Sequence, residues 1–293
     1  MTRLAPKPIF VTGATGNVGR NVVSILSGTG APVRALTRHP EAAGLPDSVE
    51  VVRGDLSDPS TLENSLEEVD SVFLMVRDFS VPIAPIMVSL AKHVRRIVFL
   101  SSAAIRDELP VQTNPVGKIH LEVEEATRKT GLEWTFLRPG AFAANALAWW
   151  GPQLRAGDVV RWPYGAAASA PIHERDIAAV AVRALTGERH AGKKYSLTGG
   201  DVLTQFEQLQ IIGDATGRTL RYEELMPDAA RQQMGAFLPP FIVDVMLDVM
   251  ARTVETPAPV TRTVEEVTGA PPAKFQQWAL DHAKDFQVKG ERG

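Results

Sequence analysis

The segment Ile9-Phe-Val-Thr-Gly-Ala-Thr-Gly-Asn-Val-Gly19 constrains this chain more than any other. A short apolar run, Ile9–Thr12, ends in glycines at 13, 16 and 19. An amphipathic stretch, Asn17–Ser27, follows at once, with Val18, Val22, Ile25 and Leu26 on one helical face. A strand that turns through glycines straight into a helix leaves the first N–H groups of that helix without partners. A pyrophosphate uses just such a place: a tight turn, a backbone it can approach closely, and a helix N-terminus aimed at it. The segment therefore predicts a dinucleotide loop in which Gly13, Thr15, Gly16, Asn17, Val18 and Gly19 meet the ligand.

The residues beyond it repeat the strand–helix rhythm. Val33–Leu36, Val49–Val52, Val72–Val76, Ile97–Leu100 and Trp134–Leu137 read as strands. Helices are expected from Asp58-Pro59, where a cap residue precedes a first-turn proline, over Pro82–His93, and over Val116–Lys129, which Gly131 stops. Beyond Gly140 the rhythm loosens, although Arg175–Thr186 has a sheet-packing helical pattern and Lys194–Leu197 resembles a last strand. The remainder mixes short helices around a proline-rich break at Thr256–Val260. The expected fold is α/β: a doubly wound parallel-sheet Rossmann domain over 1–150, with 171–200 returning to it. A small mixed C-terminal substrate lobe would comprise 151–170 and 201–293.

The second strand selects the nucleotide. A site for NAD presents an acid there to the ribose 2′-hydroxyl. This strand ends Ala35-Leu36-Thr37-Arg38-His39, with no acid, and Arg38 suits a 2′-phosphate through a charge-assisted pair. NADP, as NADPH, is the expected cofactor.

The spacing Gly-x-x-Gly-x-x-Gly in Thr12–Gly19 resembles the opening of the short-chain dehydrogenase/reductase superfamily in its extended and atypical branches. Lys118-Ile-His-Leu-Glu-Val-Glu-Glu125, Gly131–Phe142 with Asn145, and Pro171–Ala179 resemble the NmrA-like atypical branch, over roughly residues 7 to 200. The resemblance implies that Asp55 and Leu56, after the third strand, border the adenine, although Asp55 equally suits a turn cap. It implies that Pro139 to Phe142 pass beside the nicotinamide, and that Phe142, Trp149, Trp150, Trp162 and Tyr164 lie on the substrate side, as pocket lining or as packing.

Most reductases of the superfamily carry Tyr-x-x-x-Lys on one helix face, the tyrosine as proton donor. The three tyrosines here, at 164, 195 and 222, have no lysine four residues later. Asn114-Pro-Val-Gly-Lys118 stands at the corresponding place. Asn114 and Lys118 are thus the candidate catalytic pair, with Lys118 gripping the nicotinamide ribose. Asparagine cannot supply a proton at neutral pH. His120, two residues past Lys118, reads as structural. Tyr164 is a substitute acid only by conjecture.

The missing tyrosine favours hydride transfer to a small electron-poor acceptor, such as a quinone or conjugated carbonyl, whose reduced anion takes its proton from water. The alternative is a regulatory protein that senses NADP(H) without turnover. A nucleotide-sugar epimerase is weakened by the same missing tyrosine. Composition excludes more. With no cysteine there is no disulfide, thiol nucleophile or Cys-based metal site, and the six scattered histidines suggest no metal. A net charge of −3 with dispersed cations gives no reason to expect nucleic acid or an anionic membrane as partner. No apolar run reaches the ~18 residues of a membrane span. A cytoplasmic protein with a small-molecule substrate is expected, and a homodimer is left open.

Overall fold

The computed structural model describes residues 6–76, 78 and 80–287; the outer ends of the expected domain ranges, 1–5 and 288–293, lie outside these. The strands are β1 (Ile9–Val11), β2 (Val33–Thr37), β3 (Glu50–Arg53), β4 (Ser71–Leu74), β5 (Arg96–Leu100), β6 (Glu133–Pro139), β7 (Val159–Trp162), β8 (Ala168–Ser169), β9 (Lys193–Leu197), β10 (Leu203–Thr204) and β11 (Arg221–Glu224). The helices are α1 (Asn17–Gly28), α2 (Ile83–His93), α3 (Pro115–Lys129), α4 (Ala144–Ala156), α5 (Glu174–Thr186), α6 (Gln205–Thr216), α7 (Pro227–Gly235), α8 (Pro240–Glu255), α9 (Thr263–Thr268) and α10 (Phe275–Asp281). None of the described helices is long and apolar enough to cross a membrane.

The chain divides into two compact units, 1–139 with 174–196, and 140–173 with 197–293. The first is built on a seven-stranded sheet in the order β3-β2-β1-β4-β5-β6-β9. Its strands run parallel, with Val11 opposite both Ala35 and Phe73. Strand order reverses on either side of β1, as a doubly wound Rossmann sheet requires. On one face α2 and α3 bring Ile86, Leu90 and Val123 against Phe10, Val72, Leu74, Ile97, Phe99 and Phe136. The alternate residues Val11, Phe73 and Val98 are also fully buried and point to the other face. Both faces are therefore covered, which explains why the strands read as near-continuous apolar runs.

Two expectations are corrected. Asp58-Pro59 does not open an α-helix. Asp58 accepts from the Ser60 N–H, but the structure forms two short 3₁₀ turns, Pro59–Thr61 and Asn64–Leu66. The Thr61 hydroxyl donates to the carbonyls of Asp55 and Asp58 at 3.2 and 2.7 Å, diverting acceptors that a helical ladder would use. The expected boundary at 150 falls inside α4. Ala144, Ala146, Trp150 and Leu154 of that helix join the second unit's core, so the chain leaves the first unit at 139. Residues 171–173 stay with the second unit as well, because Ile172 exchanges backbone hydrogen bonds with Ala141 and Ala143.

The second unit holds two small sheets, β7 parallel to β11 and β8 antiparallel to β10. Its core gathers Trp150, Trp162, Trp278, Phe275 and Phe286 with α6 and α8. A capping box fixes the start of α6: Thr204 Oγ1 accepts from the Glu207 N–H, while Glu207 accepts from the Thr204 N–H.

Candidate functional site

The parallel sheet sends the carboxyl ends of β1 to β6 to one edge, and the glycine loop stands at the strand where the order reverses. Gly13 adopts φ +61°, and a Cβ there would lie 2.6 Å from Met75 Sδ. Gly16 donates its N–H to the Gly13 carbonyl at 2.9 Å, closing the turn. At Gly19 a Cβ would come within 2.2 Å of the Gly13 carbonyl oxygen, so α1 packs on the loop with no room for a side chain. Thr12 ties the loop to β4: its hydroxyl accepts from the Met75 N–H at 2.7 Å. Met75 and Thr12 were not apparent as site-building residues, because the β1–β4 adjacency emerges only in the folded sheet.

The N-terminus of α1 is capped by Gly16, with no side-chain hydrogen bond and no acid in the first turn. Thr15 and Asn17 are exposed, and Val18 is buried. This cradle fits a pyrophosphate, since no side chain caps the helix end and no acid stands in its first turn.

Arg38 extends from the end of β2, exposed, and its guanidinium makes no hydrogen bond or ion pair with the described residues. Arg53, aligned with Thr37 across the β2–β3 ladder, donates to the Arg38 carbonyl at 2.8 Å and pairs with Glu41 at 3.0 Å. Arg53 is a second cation beside Arg38, and the parallel register was its only signal. Asp55 serves the turn: its Oδ1 accepts from the Ser57 N–H at 2.9 Å. That hydrogen bond, with the field of Arg38 among the lesser causes, holds the Asp55 carboxyl below its ordinary range. Leu56 is half-buried against the core of the first unit.

Asn114 is a helix cap. Its Oδ1 accepts from the N–H groups of Val116 and Gly117 at 2.8 and 3.2 Å, and Pro115 occupies the first helical position. The Asn114 side-chain oxygen is thereby committed to the start of α3. Gly117 presses this helix onto the segment after β5, where a Cβ would meet the Ala104 carbonyl oxygen at 2.5 Å. Lys118 follows, exposed and without an ion pair among the described residues. His120 is half-buried, with its Nδ1 2.8 Å from the Val116 carbonyl, and burial pushes its pKa down, consistent with a structural histidine. Asn114→Ala should cost about 1 kcal/mol of stability, and Asn114→Asp almost none. Chemical denaturation checks both; a loss of turnover with unchanged stability would support a catalytic role.

Pro139 ends β6, buried, and its carbonyl accepts from the Ala103 N–H at 3.0 Å. Just before it, Arg138 sits in a buried ion cluster. Its guanidinium donates to Glu124 at 2.8 and 2.7 Å and to Asp107 at 2.9 and 3.1 Å. Glu124 also accepts from Ser101 and Arg128, and Lys194 reaches Asp107. Burial opposes the Arg138 charge, but these hydrogen bonds outweigh it and raise its pKa; Asp107 is correspondingly lowered, chiefly by Arg138. The cluster joins α3, β6, β9 and the 101–114 segment that leads to Lys118.

The aromatic residues divide by burial. Trp150 and Trp162 are 1% and 0% exposed, which makes them packing residues. Trp149 is half-buried and stacks on Trp162, ring centroids 5.6 Å apart. Tyr164 is half-buried at the margin of the same core, while Phe142 forms an isolated parallel bridge with Ile172. The Tyr164 backbone lies at φ +53°, a conformation that costs a residue with a side chain about 1–2 kcal/mol.

Comparison with known proteins agrees with this geometry. The NAD(P)H-binding family matches residues 13–188. A (4-alkanoyl-5-oxo-2,5-dihydrofuran-3-yl)methyl phosphate reductase of Streptomyces griseus is 40% identical, over 95% of this chain and 99% of that protein. An NAD(P)H azoreductase of Xenophilus azovorans is 33% identical, over 95% and 99%. An NADPH-dependent quinone oxidoreductase from Escherichia coli, crystallised with NADPH, shares the fold with a TM-score of 0.76 at 23% identity, covering 92% of this chain and 98% of that one. With its glycine cradle, reversed strand order and family match in agreement, the chain belongs to the NAD(P)H-binding family and is an oxidoreductase of the NmrA-like, atypical short-chain dehydrogenase/reductase type.

Proposed function

We propose that the protein is an NADPH-dependent reductase of small electron-poor acceptors, quinones and carbonyl compounds with a conjugated double bond. The capping role of Asn114 carries this reading. At the place that resembles the tyrosine position of most short-chain dehydrogenase/reductases, the Asn114 side chain is spent on α3. Acceptors whose reduced anion is delocalised tolerate that loss, because water can supply the last proton. Relatives support the same class: one is named for an acyl-substituted, ring-conjugated dihydrofuranone phosphate, another for azo compounds.

The nicotinamide, when bound, supplies hydride. The chain's own residues bind and orient. The backbone of Gly13 to Gly19 takes the pyrophosphate, with Gly16, Asn17 and Val18 offering the helix end. Arg38, with Arg53 behind it, takes the 2′-phosphate. Leu56 and the second carboxylate oxygen of Asp55 border the adenine. Lys118 holds the nicotinamide ribose, Pro139 forms part of the nicotinamide surroundings, and Phe142, Trp149 and Tyr164 are the acceptor-side candidates. Holding the partners in register is then the main catalytic contribution.

The test is a panel of quinones, 3-acyl-2(5H)-furanones, azo dyes, simple ketones and aldehydes, mixed with NADPH or NADH and followed by absorbance at the nicotinamide band. Oxidation of NADPH by conjugated carbonyls and quinones, with simple ketones inert, is the expected result. Tight NADPH binding with no oxidation by any compound would support a sensor of NADP(H) instead. Arg38→Ala should weaken NADPH about 10- to 100-fold, as expected for a lost charge-assisted contact, and leave NADH nearly unchanged. Equal losses for the two nucleotides would remove the 2′-phosphate assignment.

A further inference from the structure

We propose that Arg20 is a positioning residue for NADPH: it ties the segment that carries Arg38 to the pyrophosphate loop, so that the two phosphate sites keep a preset separation. The proposal rests on the reading of Arg38 as the 2′-phosphate residue and adds what holds that residue in place. Arg20 is the fourth residue of α1 and is exposed; its backbone N–H donates to the Gly16 carbonyl at 2.9 Å. Its guanidinium meets backbone alone. Nη1 donates to the Gly44 carbonyl at 2.8 Å and Nη2 to the Ala43 carbonyl at 3.2 Å. The same Nη2 lies 3.5 Å from the carbonyl of Thr15, within the glycine loop itself. One side chain therefore joins the pyrophosphate loop to backbone 23 residues further along the chain.

That backbone belongs to a short segment fixed at both ends. Thr37 Oγ1 accepts from the His39 N–H at 3.2 Å, Pro40–Ala42 forms a single 3₁₀ turn, and Ala43 is buried. On the β3 side Arg53 donates to the Arg38 carbonyl at 2.8 Å and pairs with Glu41. Two arginines from different elements thus hold one turn, Arg53 at its start and Arg20 at its end. Arg38 alone of the three makes no side-chain hydrogen bond or ion pair with the described residues, which leaves its guanidinium for a ligand. An exposed arginine gives up side-chain freedom to be held in this way. Reaching two successive carbonyls at once suits the planar fork of a guanidinium, whereas an ammonium is a point charge. What such a brace restricts is the freedom of the Arg38 backbone relative to Gly13–Gly19. NADPH carries its pyrophosphate and 2′-phosphate on one adenosine ribose, at a limited reach from each other. A frame set in advance spares it the cost of ordering the Arg38 segment on binding, while NADH, without the extra phosphate, draws on the loop alone.

Calorimetric titration of the full chain with NADPH and with NADH tests this. Arg20→Met should weaken NADPH about 3- to 10-fold and NADH about 2-fold at most, so that the preference for NADPH falls. Arg20→Lys keeps the charge and should lose most of the same preference. Full preference in the lysine variant would mean that Arg20 acts as a charge, and would overturn the positioning role. In the Arg38→Ala background, Arg20→Met should leave the remaining NADPH-to-NADH ratio unchanged, because the side chain it positions is gone. A further fall in the ratio there would overturn the proposal as well. Equal losses for the two nucleotides, or a lower thermal midpoint with the ratio intact, would reduce Arg20 to a packing residue of α1. If Arg38→Ala itself leaves the ratio unaltered, the 2′-phosphate reading falls and this inference with it. If Arg38→Ala lowers the ratio and Arg20→Met does not, only this inference falls.

Discussion

Gly19→Ala is expected to lower NADPH affinity by at least about 100-fold and to reduce stability, the larger of the two main effects anticipated here. The added methyl would stand 2.2 Å from the Gly13 carbonyl oxygen and 2.7 Å from its carbon. Neither is the end of a flexible side chain, so relief requires α1 to move away from β1. That movement carries the helix N-terminus from the pyrophosphate position and opens the Gly16-to-Gly13 turn. Backbone displacements of this kind cost about 1–3 kcal/mol in packing alone. Gly28→Ala is the internal control. It lies in the same helix, a Cβ there meets nothing within 4 Å, and it should leave NADPH affinity unchanged. Calorimetric titration of the two variants checks the claim; comparable affinities would mean that the loop does not bear the nucleotide.

Arg138→Met is expected to destabilise the protein by about 3 kcal/mol, because removing one partner strands a buried carboxylate. The Glu124 side chain is 0% exposed and would retain only Arg128 and Ser101. Replacing the pair together, Arg138→Met with Glu124→Gln, should recover most of the loss, since no uncompensated charge remains. Denaturant titration of the single and double variants measures the difference. No recovery would mean that shape, rather than charge, is what the cluster contributes. Asp107 adds a pH dependence with a definite sign. Its folded pKa is lowered, chiefly by Arg138, so its contribution is complete above the unfolded value of about 3.9 and is lost as pH falls through the folded value. Acid should therefore loosen the 101–114 segment only below about pH 4, and Arg138→Met should reduce that dependence to the share that Lys194 supplies.

The parts of the molecule that were legible beforehand are those where local sequence and tertiary need coincide. Ile9–Gly19 announces strand, turn and helix because apolar period, glycine and the phosphate cradle all demand the same thing. The inner strands β1, β4 and β5 were readable for the same reason, being buried on both sides. The capping role of Asn114 was missed, although Asn-Pro before an amphipathic run is a helix-start signal. Helix α4 was invisible because Pro152 stands inside it and three of its five buried residues are alanine or glycine, so the periodic signal is weak. Strands β8 and β10 are too short to carry alternation. Arg20 and Arg53 gain their meaning only from neighbours distant in sequence, and no local pattern encodes that.

The route of the chain between its units bears on biosynthesis. Because β9 arrives only after residues 140–173 have been spent elsewhere, a nascent chain carries β6 for a time as an unprotected sheet margin. Phe136 and Leu137 on that strand are wholly enclosed once folding is complete, so the interval before β9 emerges is when pairing with a neighbouring polypeptide is most open. Removing everything after 139 would make that vulnerable interval permanent.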